Sequence, residues 1–314
     1  MMIGLEKNIK VKSYSFSDQG PHLLITAGVH GDEWEPILAV QRLKKILENT
    51  SLAISGQISL VSITNEPAYN LGERTAEDGK DLARTCPGNL DGSITEKIAR
   101  EISGLIQKAD FYIDMHTGGN EFEIYPLAGY MLHSDPDVLN HQRSMARAFN
   151  MPIVWGTSPD LDGRTLSVAR DANIPAIYTE FGGGGESLPK IIDSLIEGCF
   201  GVMRYLEMAA WDEEIKQREQ FWLEDFRKSS GHLQIMHPSS IDGIFSSQKK
   251  IGDIVGKGEV IGFVDDPLSG NNSEIIALEE GVLFLLRKYA KVNKGTATAG
   301  VLPISGPGKY QLYE

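Results

Sequence analysis

The sequence predicts an α/β fold, and three observations carry that prediction. Short apolar, β-prone runs alternate with stretches whose apolar residues recur at helical spacing. Residues able to do chemistry fall directly after the β-prone runs, beside glycines, where open α/β sheets carry their sites. After about residue 225 the text changes to brief β-like runs punctuated by glycine, which predicts a small all-β unit at the C-terminal end.

The elements follow in order. His22 to Gly28 is an apolar run closed by glycine and reads as a buried strand. Ile37, Val40, Leu43 and Leu47 share one helical face, so a helix is expected over 37–47, with Pro36 at its start. Gln57 to Ile63 reads as a second strand. Ala109 to Met115 is a third, with His116 at its C-terminal end, and Pro175 to Phe181 a fourth, running into Gly182 to Gly185. Helical spacing recurs over Ile94 to Ile106, Val138 to Phe149 and Leu188 to Met208. Trp211 to Lys228 is charge-rich and reads as a helix end and linker. Beyond it come Gly243 to Phe245, Gly252 to Gly258, Val260 to Val264, Gly281 to Phe284, Val292 to Gly295 and Ala299 to Leu302, all short and β-like. The expected division is 1–224 for the α/β domain and 225–314 for the β-rich domain.

Composition narrows the function classes. The chain has 314 residues, 41% of them hydrophobic and 23% charged, as in a globular protein with a sizeable core. Its formal net charge of -13 and the lack of a basic run argue against a nucleic-acid partner. No stretch approaches the roughly 20 apolar residues of a membrane helix. The N-terminal text lacks the apolar stretch of a signal peptide. Only two cysteines are present, too few for a disulfide framework. A cytoplasmic protein is expected, and a homo-oligomer is compatible with these features.

The most informative segments are Gly28-Val29-His30-Gly31-Asp32-Glu33 and, far downstream, Asp114-Met115-His116-Thr117-Gly118. Two imidazoles and one carboxylate, a close pair plus a distant third, make a catalytic zinc triad with a coordination position left for water. Zinc held this way acidifies water and polarises a carbonyl, which points to a metallohydrolase. His22, His133, His141, His232 and His237 lack such a setting. Asp32 and Asp114 either orient a ligand imidazole or cap a turn.

The segments GVHGDE, ERTAEDGKDLAR, DMHTGG and YTEFGGG, in this order, resemble the succinylglutamate desuccinylase/aspartoacylase family of the zinc-carboxypeptidase-like superfamily. The resemblance spans roughly residues 20 to 305 and is nearest to the bacterial deacylase subgroup. It implies a mixed, largely parallel sheet flanked by helices, with a small all-β C-terminal domain. It also implies one zinc ion per chain on His30, Glu33 and His116, and a small acyl-amide as substrate. Glu180 matches the family's general base and acid, which takes a proton from the attacking water and delivers it to the leaving amine. Arg74 matches the arginine that faces the oxyanion, and Arg84 the one that binds a substrate carboxylate. Asn65, in Asn65-Glu66-Pro67-Ala68, matches a pocket-shaping loop and is expected to contact substrate.

One departure bears on specificity. The family usually has asparagine before the second arginine, and here residue 83 is alanine. The aromatic that often follows is replaced by Cys86. Loss of an amide that would pair with a substrate carboxylate redirects specificity, so N-acetylaspartate and succinylglutamate are not the expected substrates. Cys86 reads as a small buried hydrophobe or an exposed thiol near the site. Gly182 to Gly185 lacks the spacing of a phosphate cradle and reads as a mobile loop beside Glu180. The C-terminal text GDIVGKGEVIGFV resembles carrier-type hammerhead modules, but no lysine stands where one would be modified.

The expectation is therefore a zinc-dependent hydrolase cleaving the amide bond of an N-acyl amino acid or related small amide. Two alternatives stay open: a zinc carboxypeptidase or peptide amidase on the same site, and a non-catalytic metal-binding homologue.

Overall fold

A computed structural model describes residues 8–51, 53–209, 217–228, 230–233, 236–304, 306 and 308–313. Strand β1 (Lys12–Ser15) and β2 (His22–Thr26) lead into helix α1 (Trp34–Asn49), then β3 (Gln57–Val61) and the short helix α2 (Glu66–Leu71). Next come α3 (Ile94–Ile106), β4 (Phe111–His116), β5 (Phe122–Met131), α4 (Pro136–Phe149), β6 (Ile153–Thr157), α5 (Thr165–Asp171), β7 (Ala176–Gly183), α6 (Pro189–Tyr205) and β8 (Phe221–Asp225). The remainder is β-rich: β9 (Gly243–Ser247), β10 (Ile254–Val255), β11 (Val260–Asp265), β12 (Asn272–Ile276), β13 (Gly281–Arg287), β14 (Lys291–Val292), β15 (Ala299–Leu302) and β16 (Gly308–Leu312).

The main sheet runs in the order β1-β3-β2-β4-β7-β5-β6-β8-β16. The stretch from β3 through β7 is parallel, and β5 joins β7 antiparallel. Strands β2, β3 and β4 are buried along most of their length and β7 along half of it, as strands covered on both faces are. On one face, Val40 and Leu43 of α1, Phe149 of α4 and Leu195 and Val202 of α6 close over Ile25, Ile113 and Ile177. On the other, Ile98 and Ile102 of α3 and Val168 and Ala169 of α5 cover Leu24, Tyr112 and Ala176. The α/β class expected from the alternation is the architecture present.

The chain beyond β8 does not stand apart from this sheet. Strand β13 pairs antiparallel with the start of β5, Leu285 opposite Ile124, and β16 returns to lie parallel beside β8. Strands β12, β11, β9 and β14 form a separate antiparallel sheet. The charge-rich stretch expected as helix end and linker contains β8, because Phe221 and Leu223 are buried where the strand pairs with β6. Residues 210–216 of that stretch lie outside the described residues.

Among the main-sheet strands that precede β8, three carry no clear sequence signal. Strand β5 holds Pro126 and Gly129, both of which argue against a central strand. A register shift between Ile124 and Leu127 absorbs the proline, and Gly129 is required because a Cβ there would lie 2.2 Å from the Tyr178 ring. Strands β1 and β6 are short, and β1 is an exposed edge. Helix α1 starts three residues earlier than its apolar spacing predicts, with Pro36 tolerated in its first turn.

Helices α4 and α6 meet through glycine. A Cβ on Gly201 would lie 2.1 Å from the Ala148 carbonyl oxygen, and one on Gly198 would lie 2.3 Å from the Phe149 ring. Gly201→Ala gains roughly 1 kcal/mol of helix propensity but forces the helices apart. A net loss of about 1–3 kcal/mol is expected from overpacking, read as a lower midpoint in urea unfolding. A raised midpoint would contradict the packing described.

Candidate metal and hydrolytic site

The site gathers where parallel strands end. His30 and Glu33 lie in the turn between β2 and α1, and His116 is the last residue of neighbouring β4. Glu180 sits on β7, in register with His116. Arg74 follows α2, which itself follows β3. The turn at His30 depends on glycine: Gly28 has φ +64°, and a Cβ on Gly31 would lie 2.0 Å from the Ala68 carbonyl carbon. Only a bare backbone lets this turn pack so closely on α2.

His30 Nδ1 is 2.7 Å from Glu33 Oε1, and His116 Nδ1 is 3.0 Å from Glu33 Oε2. All three side chains are buried. Among the described residues they are the one group of His, Cys, Asp and Glu arranged to hold a metal ion, with ligand atoms within 4.8 Å of one another. The opposite ring nitrogens are engaged too. His30 Nε2 lies 3.1 Å from Asp81 Oδ1, and His116 Nε2 lies 3.1 Å from Asp114 Oδ2. A carboxylate accepting from Nε2–H fixes the tautomer and leaves Nδ1 to bind a cation. Two imidazole nitrogens and one carboxylate so oriented fit a zinc ion with an open position.

Asp114 is fully buried and also accepts from Thr26 and Thr165. Burial would raise its carboxyl, but His116 and these hydroxyls hold it below the usual range. Asp32 does not play this part. Its Oδ2 instead accepts from the Asn120 backbone at 2.9 Å. The partner of His30 is Asp81, in the segment Asp81-Leu82-Ala83-Arg84, where it also caps a 3₁₀ turn over Leu82–Arg84.

One pocket joins these groups. It is lined by His30, Glu33, His116, Glu180, Arg74 and Arg84, and has a volume of about 100 Å³. Asn65, also expected to contact substrate, does not line it. It is fully buried, caps α2 through Ala68 N, and donates its backbone N–H to Gly28 O. Arg164, which no motif marked, does line it, held at the start of α5 with Nη2 donating to Gly231 O at 3.2 Å. The β-rich region adds Gly231, Leu233 and Leu285, so the chain beyond β8 forms part of the pocket wall. Cys86 is buried and its thiol is pushed up to about 12 by burial, which makes it a packing residue.

The electrostatics separate two carboxylates. Burial alone would raise Glu33, but His30 and His116 outweigh it and hold the group at about 2, ionised as a metal ligand must be. Glu180 is pushed up to about 8, first by burial, with Glu33 adding to the rise and His116 and Arg74 opposing it. Its Oε2 is buried without a hydrogen-bond partner. Burial, then the neighbouring Arg84, brings Arg164 down to about 10. The glycines after Glu180 do not hang free. Gly182 and Gly183 extend β7 against β5, Gly118 N donates to Gly182 O, and Gly185 N donates to Gly119 O. All four have positive φ, and a Cβ on Gly183 would lie 2.3 Å from Phe122 O. Gly182 and Gly183 are close-packed strand backbone where a mobile loop was expected, while Gly184 faces the Lys288 side chain and Gly185 is exposed.

Fold and site together define a hydrolase class, and comparison with known proteins identifies it. Residues 19–206 match the model of the succinylglutamate desuccinylase/aspartoacylase catalytic domain, and the chain belongs to that family. It is 31% identical over 293 residues to the Nα-acetyl-L-2,4-diaminobutyric acid deacetylase of Halomonas elongata, covering 91% of this chain and 83% of that protein. Among solved structures, the product-bound ectoine utilization protein EutE (DoeB) of Ruegeria pomeroyi superposes with a TM-score of 0.82 at 25% identity, covering 93% of this chain and 87% of that one. An aspartoacylase family protein of Mesorhizobium loti superposes with a TM-score of 0.76 at 27% identity, covering 95% and 90%. Among the described residues, no helix is long and apolar enough to cross a membrane.

If Asp114 orients His116, Asp114→Asn is expected to weaken divalent-metal binding by about 10- to 100-fold, measured by competition with a chromophoric chelator. Unchanged affinity would remove Asp114 from the site.

Proposed function

We propose that this chain is a zinc-dependent deacylase that hydrolyses the amide bond of a small N-acyl amino acid. The observation that carries this reading is the placement of Glu180, with a buried, unpartnered Oε2, in the pocket that also holds the His30–Glu33–His116 cluster. When bound there, zinc supplies Lewis acidity, which acidifies water and polarises an acyl carbonyl.

The chain's own groups do the rest. Glu180 Oε2 takes the proton from the attacking water and returns it to the leaving amine. Its raised pKa, about 8, keeps it basic enough to accept the proton and acidic enough to return it. Arg74 faces the negative charge that grows on the acyl oxygen. Arg84 and Arg164 both line the pocket, Arg84 helping to lower Arg164, and are placed to hold a substrate carboxylate. Ala83 offers no amide beside them, so recognition there rests on guanidinium groups. The deacylase and desuccinylase names of the relatives support the acyl amino acid class, and Nα-acetyl-2,4-diaminobutyrate is the first substrate to try.

Purified protein incubated with a panel of N-acetyl and N-succinyl amino acids is expected to release free amine. Stripping the metal should abolish release and zinc should restore it. Glu180→Gln should retain metal and lose about 10²- to 10⁴-fold in kcat; full activity in that variant would exclude Glu180 as the base.

The pH profile gives an independent check. The base works deprotonated, so activity is lost as pH falls through the Glu180 pKa. Without metal that group lies near 8, and a bound cation lowers it. In the loaded enzyme kcat/KM should therefore rise with pH over a window below about 8. The residual activity of Glu180→Gln should lack that limb, and an unchanged limb would assign it to another group.

A further inference from the structure

Asp81 holds two groups to which the reaction assigns different tasks. Its Oδ1 lies 3.1 Å from His30 Nε2, and its Oδ2 accepts from Arg74 Nε at 3.2 Å and from Arg74 Nη2 at 3.0 Å. The same side chain accepts from Ala83 N at 2.9 Å, and the Asp81 carbonyl accepts from the Thr85 hydroxyl at 2.7 Å. Asp81 is therefore fixed from the backbone side through Oδ1, which accepts from Ala83 N and also faces the imidazole, while Oδ2 serves the guanidinium. A second link parallels this one: Gly31 N donates to Glu73 O at 3.0 Å, tying the segment that carries Arg74 to the turn that carries His30.

We infer that Asp81 is a positioning residue that couples metal loading at His30 to the placement of Arg74. The inference rests on the metal-site reading above. One carboxylate shared by two donors cannot serve both independently. A cation on His30 Nδ1 draws electron density from the ring and strengthens the Nε2–H bond to Oδ1. That changes the charge which Oδ2 presents to Arg74, and so the angle at which the guanidinium is held. Coupling of this kind is reciprocal. A change at Arg74 must then be felt as a change in metal affinity, although Arg74 is not a ligand.

The test is a double-mutant cycle on metal affinity, read by competition with a chromophoric chelator and independent of turnover. Wild type, Arg74→Gln, Asp81→Asn and the double variant are each titrated with zinc. Removing Arg74 leaves the Asp81 charge to His30 alone, so Arg74→Gln should bind zinc more tightly, by about threefold or more. The gain should vanish when Asp81 is already asparagine. Direct repulsion between the guanidinium and the metal would also tighten Arg74→Gln, but that gain would persist in the Asp81→Asn background. Equal affinity in wild type and Arg74→Gln, or a gain that persists without Asp81, overturns the inference. If Asp81→Asn does not fold, the cycle is run with Asp81→Ser, which can still cap the turn but carries no charge; the gain from Arg74→Gln should vanish there too, and a gain that persists overturns the inference. Wild type that binds no zinc would instead refute the metal-site reading, a separate failure.

Discussion

The Glu33 carboxylate, buried between two imidazoles, is the constraint around which the site is arranged. A lone ionised carboxyl at this depth would be strongly disfavoured. Here His30 and His116 approach its two oxygens at 2.7 and 3.0 Å. The imidazoles are held in turn by Asp81 and Asp114, whose own lone pairs are taken up by Arg74, Ala83 N, Thr26 and Thr165. Charge and hydrogen bonds alternate outward from one carboxylate to the backbone of several elements. Breaking such an arrangement by removing one member leaves an unpaired buried charge, while the intact set is rigid.

That rigidity depends on the sheet. Strands β3, β2, β4 and β7 lie side by side and parallel, so their C-terminal ends present turns along one edge. The turn after β2 delivers His30 and Glu33, the end of β4 delivers His116, β7 delivers Glu180, and the chain after β3 delivers Arg74. Glycine lets these segments approach each other: Gly31 against Ala68, and Gly183 against Phe122. The C-terminal region completes the enclosure, since β13 pairs with β5 and places Leu285 in the pocket wall. Both carboxylates are secluded from water, and what separates them is the pair of imidazoles that holds Glu33 ionised while burial raises Glu180. Two carboxylates in one pocket thereby acquire opposite tendencies to hold a proton.

Much of this was legible in the residues. The alternation of apolar runs exposed β2, β3, β4 and β7 and most helices, because buried parallel strands are apolar throughout. The spacing of His30, Glu33 and His116 beside glycines brought forward a cluster that the fold assembles. What stayed hidden depends on tertiary contact. Strand β5 carries a proline that only its register shift accommodates. Arg164 enters the pocket because α5 begins there, and nothing near it in sequence says so. Asp81 stands out in the sequence only as a neighbour of Arg84, and the fold alone shows that its carboxylate caps a short turn and reaches His30. Asn65 carries a family resemblance but is turned inward to cap α2. Gly182 and Gly183 suggest freedom in one dimension, whereas in three they are close-packed strand backbone.

A cation bound where the Glu33 carboxylate meets the two imidazoles is central to the proposed chemistry, and crystallography of zinc-loaded protein tests it most directly. Anomalous scattering collected at the zinc edge should show one ion per chain, bonded to Nδ1 of His30, Nδ1 of His116 and the Glu33 carboxylate, with Asp81 and Asp114 still on the Nε2 atoms. A zinc ion bound through Nε2, or at a different set of side chains, or absent from fully zinc-equilibrated crystals, would contradict the account.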